Sequence, residues 1–377
     1  MAFVSVVSGS LRASPSVAST CSSTRSGFVR SGRLPVISQN NGESQGRPVT
    51  RMSASTAASQ PPAEKEKTLA ERAALLLYIG CWYGANIMFN IQNKRLLKIF
   101  PLYTTVTLFQ FGMGALVAVV LWATGVHKMH KATKEELKSI YPLALSHMLG
   151  NILTNLSLRQ MAVSFTHTIK AGEPFFSVAL SKIFVPGTAF HPAVYASLLP
   201  IVAGVTLASA NEVSFNWLGF GTAMSSNIAF QSRNVLSKKC MQDVKMDNLN
   251  LFGYISILSF LTLLPFTLFL EGAKYASVFG GAAGAGASGL SLLATLSICG
   301  FLHFLYNQFS YVVLQRVNPV THAVGNTMKR VAVIVSSIIV FKNEVTTLNK
   351  IGTAIAIFGV GLYSQVKRLK PKAKTEA

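Results

Sequence analysis

The sequence predicts an all-α membrane protein with ten transmembrane helices arranged in two halves of five. Three observations indicate this fold: an apolar composition, ten apolar runs of spanning length, and a short motif that occurs in both halves. Of the 377 residues, 50% are hydrophobic and only 12% are charged, and the mean hydropathy is +0.42. Soluble domains carry about 25% charged residues, so this composition is typical of a membrane protein.

Residues 1–60 differ from the rest of the chain. They contain six arginines, many serines, no lysine and a single acidic residue, Glu43. This composition predicts a disordered organelle transit peptide, and the excess of hydroxylated residues favours a plastid over a mitochondrion. The alternative is a polar tail without a targeting role. We expect the transporter domain at 69–370, with halves at about 73–210 and 215–367, and a polar tail at 371–377.

Ten apolar runs follow the leader, and each is close to the ~20 residues that cross the hydrocarbon core. Short polar or glycine-rich stretches separate them: the first run ends at Asn93-Lys94-Arg95, and a glycine-rich loop precedes the eighth run. The predicted spans are 73–93, 103–125, 139–160, 162–184, 192–210, 215–234, 249–271, 290–313, 320–342 and 349–367.

A weak internal repeat links the fourth and ninth runs. Both open with a Thr-His pair, which contains His167 in the fourth run and His322 in the ninth. Lys170 follows about one helical turn inward, whereas Lys329 and Arg330 lie about two turns inward. Equivalent helices that bring cations to a midplane cavity are the organisation expected of a secondary transporter. The two histidines are interpreted as structural residues at helix entries.

Cations within the apolar runs exceed the acids there. A charged side chain at the bilayer centre costs about 2.5–3.5 kcal/mol on insertion scales, so Lys170, Arg233, Lys329 and Arg330 require a function. Glu173 could form an ion pair with Lys170 on one helix face, which would be a purely structural role. The ninth run contains no acid that could pair with its own two cations. We therefore expect an anionic ligand, held bidentately by arginine and as a point charge by lysine.

Uncharged polar residues are expected in the same cavity. Asn151, Thr154 and Asn155 lie on the third run, and Tyr306 and Asn307 lie midway along the eighth. Their hydroxyl and amide groups can donate hydrogen bonds to ligand oxygens. The alternative is hydrogen bonding between helices, which is common in membrane bundles.

Other classes of protein are less consistent with the sequence. The net charge of +21 does not form a basic face interleaved with aromatic residues, so no nucleic-acid partner is expected. The four scattered cysteines match neither a zinc site nor a disulfide framework. The sequence shows no nucleotide-binding loop, nucleophile elbow or metal cluster. We therefore expect no enzyme activity, catalytic residue, metal or cofactor.

Three long segments carry a family resemblance: SFTHTIKAGEPFFSVALSKIF, SFNWLGFGTAMSSNIAFQSRNVLSKK and NPVTHAVGNTMKRVAVIVSSIIVF. They resemble the plastid phosphate translocators of the drug/metabolite transporter superfamily, over about residues 75–370. The resemblance implies ten helices in two inverted five-helix repeats. It also implies counter-exchange of inorganic phosphate for a phosphorylated C3, C5 or C6 compound.

Within that family, the segments GNILTNLSL, QSRNVLSKK and NQFSYVVLQRVNPVTH are most similar to phosphoenolpyruvate/phosphate translocators. Triose-phosphate translocators usually carry His at Asn151 and a Tyr-Arg pair at Ser232-Arg233, whereas Asn307-Gln308 is closer to their type. The resemblance implies that the phosphate site uses Thr154, Lys170, Lys329 and Arg330. It places Tyr306 and Arg233 against the rest of the substrate and gives Asn151 a role in specificity.

The resulting hypothesis is an antiporter of inorganic phosphate and phosphoenolpyruvate, or related C3 phosphates, in the plastid (chloroplast) inner envelope. A triose-phosphate/3-phosphoglycerate antiporter is the nearest alternative. A nucleotide-sugar carrier and a membrane protein without transport function are alternatives of other classes. The expected partners are phosphate, a phosphorylated C3 substrate and the lipid bilayer, and a homodimer is left open.

Overall fold

The computed structural model describes residues 69–184, 189–210, 212–243, 246–278, 289–317 and 319–367, and these residues form α-helices without any β-strand. The predicted transit peptide, the glycine-rich loop and the polar tail lie outside the described residues. The helices are α1 (Leu69–Ile99), α2 (Tyr103–Ala123), α3 (Lys134–Gln160), α4 (Val163–Lys170), α5 (Glu173–Phe184), α6 (Pro192–Ala210), α7 (Trp217–Asp243), α8 (Asn248–Glu271), α9 (Gly289–Arg316), α10 (Pro319–Phe341) and α11 (Thr347–Val366).

The all-α membrane fold that the sequence predicts is confirmed. Six described helices are long and apolar enough to cross a membrane: α1, α2, α6, α8 with its continuation to Val278, α9 and α10. Three more, α3, α7 and α11, have 27, 27 and 20 residues. They are long enough to span but fall short of that apolar composition.

The fourth apolar run, predicted as a span at 162–184, is helical but is not one continuous helix. It is divided into α4 and α5 by a turn at Ala171 and Gly172. Pro174 explains the break, because proline has no amide hydrogen to donate to the carbonyl oxygen of Lys170 and its ring crowds that carbonyl. Lys170 therefore ends one helix and Glu173 begins the next, each at the helix end whose dipole favours its charge.

Helix pairs from the two parts of the chain pack against one another. Helix α1 packs on α9, α3 on α7, α2 on α8, α6 on α11, and α4 on α10. Several helix starts are capped locally: Thr133 and Glu136 form a capping box at α3, and the Asp247 carboxylate accepts two backbone N–H bonds at α8. This packing brings α3, α4, α5, α7 and α10 together around the charged residues.

Helices α6 and α11 pack closely against each other through two glycines. A Cβ atom added to Gly204 would lie 2.3 Å from the backbone nitrogen of Ala356. A Cβ atom added to Gly352 would lie 2.4 Å from the backbone nitrogen of Ala208. Because the obstructing atoms are backbone atoms, a side chain at either glycine would push the two helices apart.

Gly352→Ala is therefore expected to destabilise the protein by about 1–3 kcal/mol, the usual cost of overpacking. The measurement is the thermal unfolding midpoint of the purified protein in detergent. Gly361→Ala is the matched control on the same helix, because no atom lies within 4 Å of an added Cβ there. Equal unfolding midpoints for the two variants would contradict the contact.

Candidate substrate-binding site

The Lys170 ammonium lies in a pocket of hydroxyl and aromatic groups and is 7% exposed. Its Nζ atom donates to Thr154 Oγ1 at 3.2 Å and to Ser226 Oγ at 3.1 Å, and it lies 4.6 Å from the centre of the Phe230 ring. These partners are all uncharged. The positive charge of Lys170 is thus solvated by dipoles while still being available to an anion.

Glu173 pairs with Arg330 from the last part of the chain. Its Oε2 atom lies 2.6 Å from Arg330 Nη2, and Gln231 Nε2 donates to the same oxygen at 3.3 Å. The alternative in which Glu173 pairs with Lys170 is therefore not what the structure shows. The expectation that no acid serves the cations of the ninth run is wrong for Arg330, because α4 packs on α10 and Glu173 begins the helix that follows α4.

Lys329, like Lys170, forms no ion pair with a described carboxylate. Its Nζ atom lies 5.1 Å from the centre of the Trp82 ring and 5.9 Å from that of the Tyr306 ring. Two aromatic faces stabilise an ammonium without neutralising it. The structure therefore brings Lys329 and Tyr306 together, as expected for two residues of one site.

Arg233 lies on α7 and is also close to the Phe230 ring. Its guanidinium carbon is 5.6 Å from the centre of that ring, and Nη1 donates to His147 Nδ1 at 2.9 Å. Asn151 is next to the same imidazole: its Nδ2 atom donates to the His147 carbonyl oxygen at 2.8 Å and lies 3.5 Å from Nδ1. Arg233, Asn151 and His147 therefore form a second polar group, and Arg233 and Lys170 both lie near the Phe230 ring.

Asn155 and Asn307 make protein hydrogen bonds. Asn155 is 2% exposed and donates to Thr107 and Gln110, while its oxygen accepts from Asn93. That network ties α1, α2 and α3 together, which matches the alternative of interhelical hydrogen bonding. Asn307 donates to the carbonyl oxygen of His303 in its own helix.

Lys94 was expected in a polar break after the first span, but α1 continues to Ile99 and Lys94 is buried. Its Nζ atom donates to the carbonyl oxygens of Leu158 and Met161 at the end of α3. The lysine thereby satisfies carbonyl groups that a helix C-terminus leaves unpaired. Lys94 is thus a helix cap, and it also fixes the junction between α3 and α4.

Several contacts of the site were not anticipated, namely those of Ser226, Phe230, Gln231, His147 and Trp82. Helical spacing contained part of this information. Ser226, Phe230 and Arg233 follow i, i+4, i+7 spacing, which places them on one face of α7. The Glu173–Arg330 pair has no such local signal, because it depends on how two helices distant in sequence pack.

The described helices thus bring together three cations and one carboxylate, from α4, α5 and α10. The family of the protein is evident from its similarity to known proteins. The model of the Triose-phosphate Transporter family matches residues 73–364, so the chain belongs to this family of transporters. The resemblance to phosphate translocators that the sequence motifs indicate is thereby confirmed.

Individual proteins of similar sequence are consistent with this family. The chain is 50% identical to the phosphoenolpyruvate/phosphate translocator 1, chloroplastic, of Oryza sativa subsp. japonica, over 83% of this chain and 76% of that protein. It is 49% identical to the triose phosphate/phosphate translocator, non-green plastid, of Brassica oleracea var. botrytis, over 85% and 80%. One solved protein chain, 12% identical, has a TM-score of 0.50 over 78% of this chain and 98% of its own, which is a likeness of fold alone.

Proposed function

We propose that this protein is an antiporter that exchanges inorganic phosphate for phosphoenolpyruvate, or a related C3 phosphate, across the plastid inner envelope. The observation that carries the proposal is the cluster of Lys170, Lys329 and Arg330 with a single carboxylate, Glu173. Three cations and one acid leave two net positive charges. A phosphate group carries about −1.5 to −2 charges near neutral pH, so one phosphate balances the cluster.

In this proposal Lys170, Lys329 and Arg330 bind the phosphate group together with the Thr154 hydroxyl. Thr154 already contacts the Lys170 ammonium, so a phosphate oxygen near one is within reach of the other. Tyr306, which lies beside Lys329, faces the rest of the substrate. Transport requires no covalent chemistry, and the site is proposed to act without enzymatic activity.

The proposed architecture is ten transmembrane helices in two inverted five-helix repeats, with α4 and α5 together forming the fourth. The packing pairs support it, because they map onto one another when the first five spans are exchanged with the last five. When the two halves are swapped in this way, the pair α1–α9 becomes the pair α7–α3. The pairs α2–α8, α6–α11 and α4–α10 map onto themselves. Such repeats support alternating access by rocking of one half against the other around a fixed site.

The cluster also explains why the carrier would exchange rather than leak. When the site is empty, two uncompensated positive charges would have to be enclosed in a low-dielectric cavity, which costs several kcal/mol per charge. A bound phosphate offsets the cost, so only the loaded carrier changes sides. The leader at 1–60 is proposed to direct the chain to the plastid, which agrees with the chloroplastic relatives.

Counterflow in proteoliposomes tests the function. The chain without residues 1–60 is reconstituted with phosphate inside, and uptake of labelled phosphoenolpyruvate, triose phosphate, 3-phosphoglycerate and a nucleotide sugar is measured. We expect uptake of a C3 phosphate only into phosphate-loaded vesicles, and fastest uptake for phosphoenolpyruvate. Fastest uptake of triose phosphate would support the alternative to which the Brassica relative points. Uptake of the nucleotide sugar alone, or no phosphate counterflow at all, would reject the proposal.

A further inference from the structure

His147 is a buried residue for which the proposed phosphate site has no use. It is 2% exposed, and four aromatic or imidazole rings, those of Phe111, Phe230, Phe252 and His303, have their centres 5.5–6.2 Å from its own. Burial of an imidazole among rings requires a polar partner to offset the loss of water. That partner is Arg233.

The hydrogen bond between the two residues has a defined direction. Arginine is always protonated and can only donate, so His147 Nδ1 accepts from Arg233 Nη1 at 2.9 Å. The imidazole is therefore neutral, with its proton on Nε2. The contact uses one of the five N–H groups of the guanidinium, and Asn234 Oδ1 accepts another from Nη2 at 3.1 Å. Among the described residues these two contacts leave three donors of the guanidinium, and they fix the direction of those donors.

The position of His147 on α3 connects it to the phosphate end of the site. His147, Asn151 and Thr154 follow i, i+4, i+7 spacing and share one helix face. Thr154 contacts Lys170, whereas His147 lies two turns away, about 10 Å along the helix axis. Cations held at these two points suit a small molecule with a phosphate at one end and a second anionic group at the other.

Phe230 lies close to a cation at each of these two points. Its ring has the Lys170 ammonium 4.6 Å from its centre and the Arg233 guanidinium carbon at 5.6 Å. The ring lies against Gly150, where an added Cβ atom would come within 2.9 Å of three of its carbons. The aromatic ring attracts both cations without neutralising either, so both remain able to bind anionic groups of a ligand.

We propose that His147 is a positioning residue that aims Arg233 at the carboxylate of a phosphorylated C3 acid. This inference rests on the proposed function. The phosphate group binds at the lysines and Arg330, and the orientation of Arg233 adds affinity only for substrates that carry a carboxylate. Asn151 acts through the same imidazole, because its amide lies 3.5 Å from the Nδ1 atom that Arg233 occupies.

His147→Phe separates positioning from structure, since phenylalanine keeps the ring and its packing but removes the acceptor. In proteoliposomes we expect the KM for phosphoenolpyruvate to rise about tenfold, the typical loss for one hydrogen bond to a charged group. The KM for phosphate in phosphate/phosphate exchange should stay within about twofold, because that exchange does not use Arg233. His147→Gln, which retains a carbonyl acceptor, should restore part of the phosphoenolpyruvate affinity.

A double-mutant cycle distinguishes a positioning role of His147 from a merely structural one. If His147 acts through Arg233, then His147→Phe added to Arg233→Ala should cause no further increase in the KM for phosphoenolpyruvate. Additive effects, or a parallel rise of both KM values in the single variant, would overturn the inference. Failure of the wild-type chain to exchange phosphate for phosphate would instead overturn the proposed function, and this inference with it.

Discussion

Lys329→Gln is expected to abolish phosphate exchange while leaving membrane insertion intact. Glutamine keeps the length of the side chain but removes the charge that no described carboxylate neutralises. The loss of one charge-assisted contact from a desolvated site, together with an unbalanced phosphate charge, should reduce the exchange rate by at least about a hundredfold, or ~2.7 kcal/mol. The measurement is labelled phosphate uptake into phosphate-loaded proteoliposomes.

Lys350→Gln is the matched control for this variant. Lys350 is exposed at the start of α11, away from the cluster, so its neutralisation should leave exchange unchanged. Equal amounts of the two variants in the membrane fraction would exclude a defect of insertion. Exchange by Lys329→Gln at the wild-type rate would show that the cation cluster does not bind phosphate and would refute the mechanism.

Lys329 is a sharper probe than Arg330, although the two are neighbours in sequence. Arg330 already has an anionic partner in Glu173 at 2.6 Å, so its neutralisation would also release a carboxylate into the site. Lys329 contacts aromatic rings, and its replacement changes one charge without orphaning another. A defect in Lys329→Gln is therefore attributable to the ligand.

The sequence singled out the cations as candidates for the site but did not predict their partners. Lys170, Lys329 and Arg330 are conspicuous because charge is costly within apolar runs, and that cost can be judged from composition alone. Glu173 lies three positions after Lys170, so the two could have paired on one face of a continuous helix. The helix ends at Lys170, however, and the acid pairs instead with a residue of α10, a contact that only tertiary packing determines.

Pro174 shows that part of the missing information was local. A proline after a run that could be a helix marks a probable boundary, but the apolar residues on both sides continue through it and suggest one span. The position of His147 could likewise have been predicted from the sequence, since its spacing places it on the helix face that carries Thr154. Its hydrogen bond to Arg233 could not be predicted, because this bond depends on the packing of α3 on α7.

The Glu173–Arg330 pair leads to a second prediction with a large expected effect. Glu173→Gln removes the single carboxylate of the cluster, and a bound phosphate would then leave about one positive charge uncompensated during the transition between sides. Enclosing an unpaired charge costs several kcal/mol, so the maximal rate of phosphate exchange should fall by at least about a hundredfold. Phosphate binding should persist or tighten, because Arg330 no longer has a competing anion.

This separation of rate from affinity distinguishes a charge-balancing role from a structural one. A variant that merely misfolds would lose phosphate binding as well as exchange, whereas Glu173→Gln should retain binding measured by protection of the purified protein against thermal unfolding. Glu136→Gln is the control, because glutamine can replace glutamate in the capping box at the start of α3. Normal exchange by Glu173→Gln would mean that the carrier tolerates the extra charge, and the account of obligatory exchange would then be wrong. Slow exchange with tight binding would instead identify Glu173 as the residue that matches the site to a doubly charged anion.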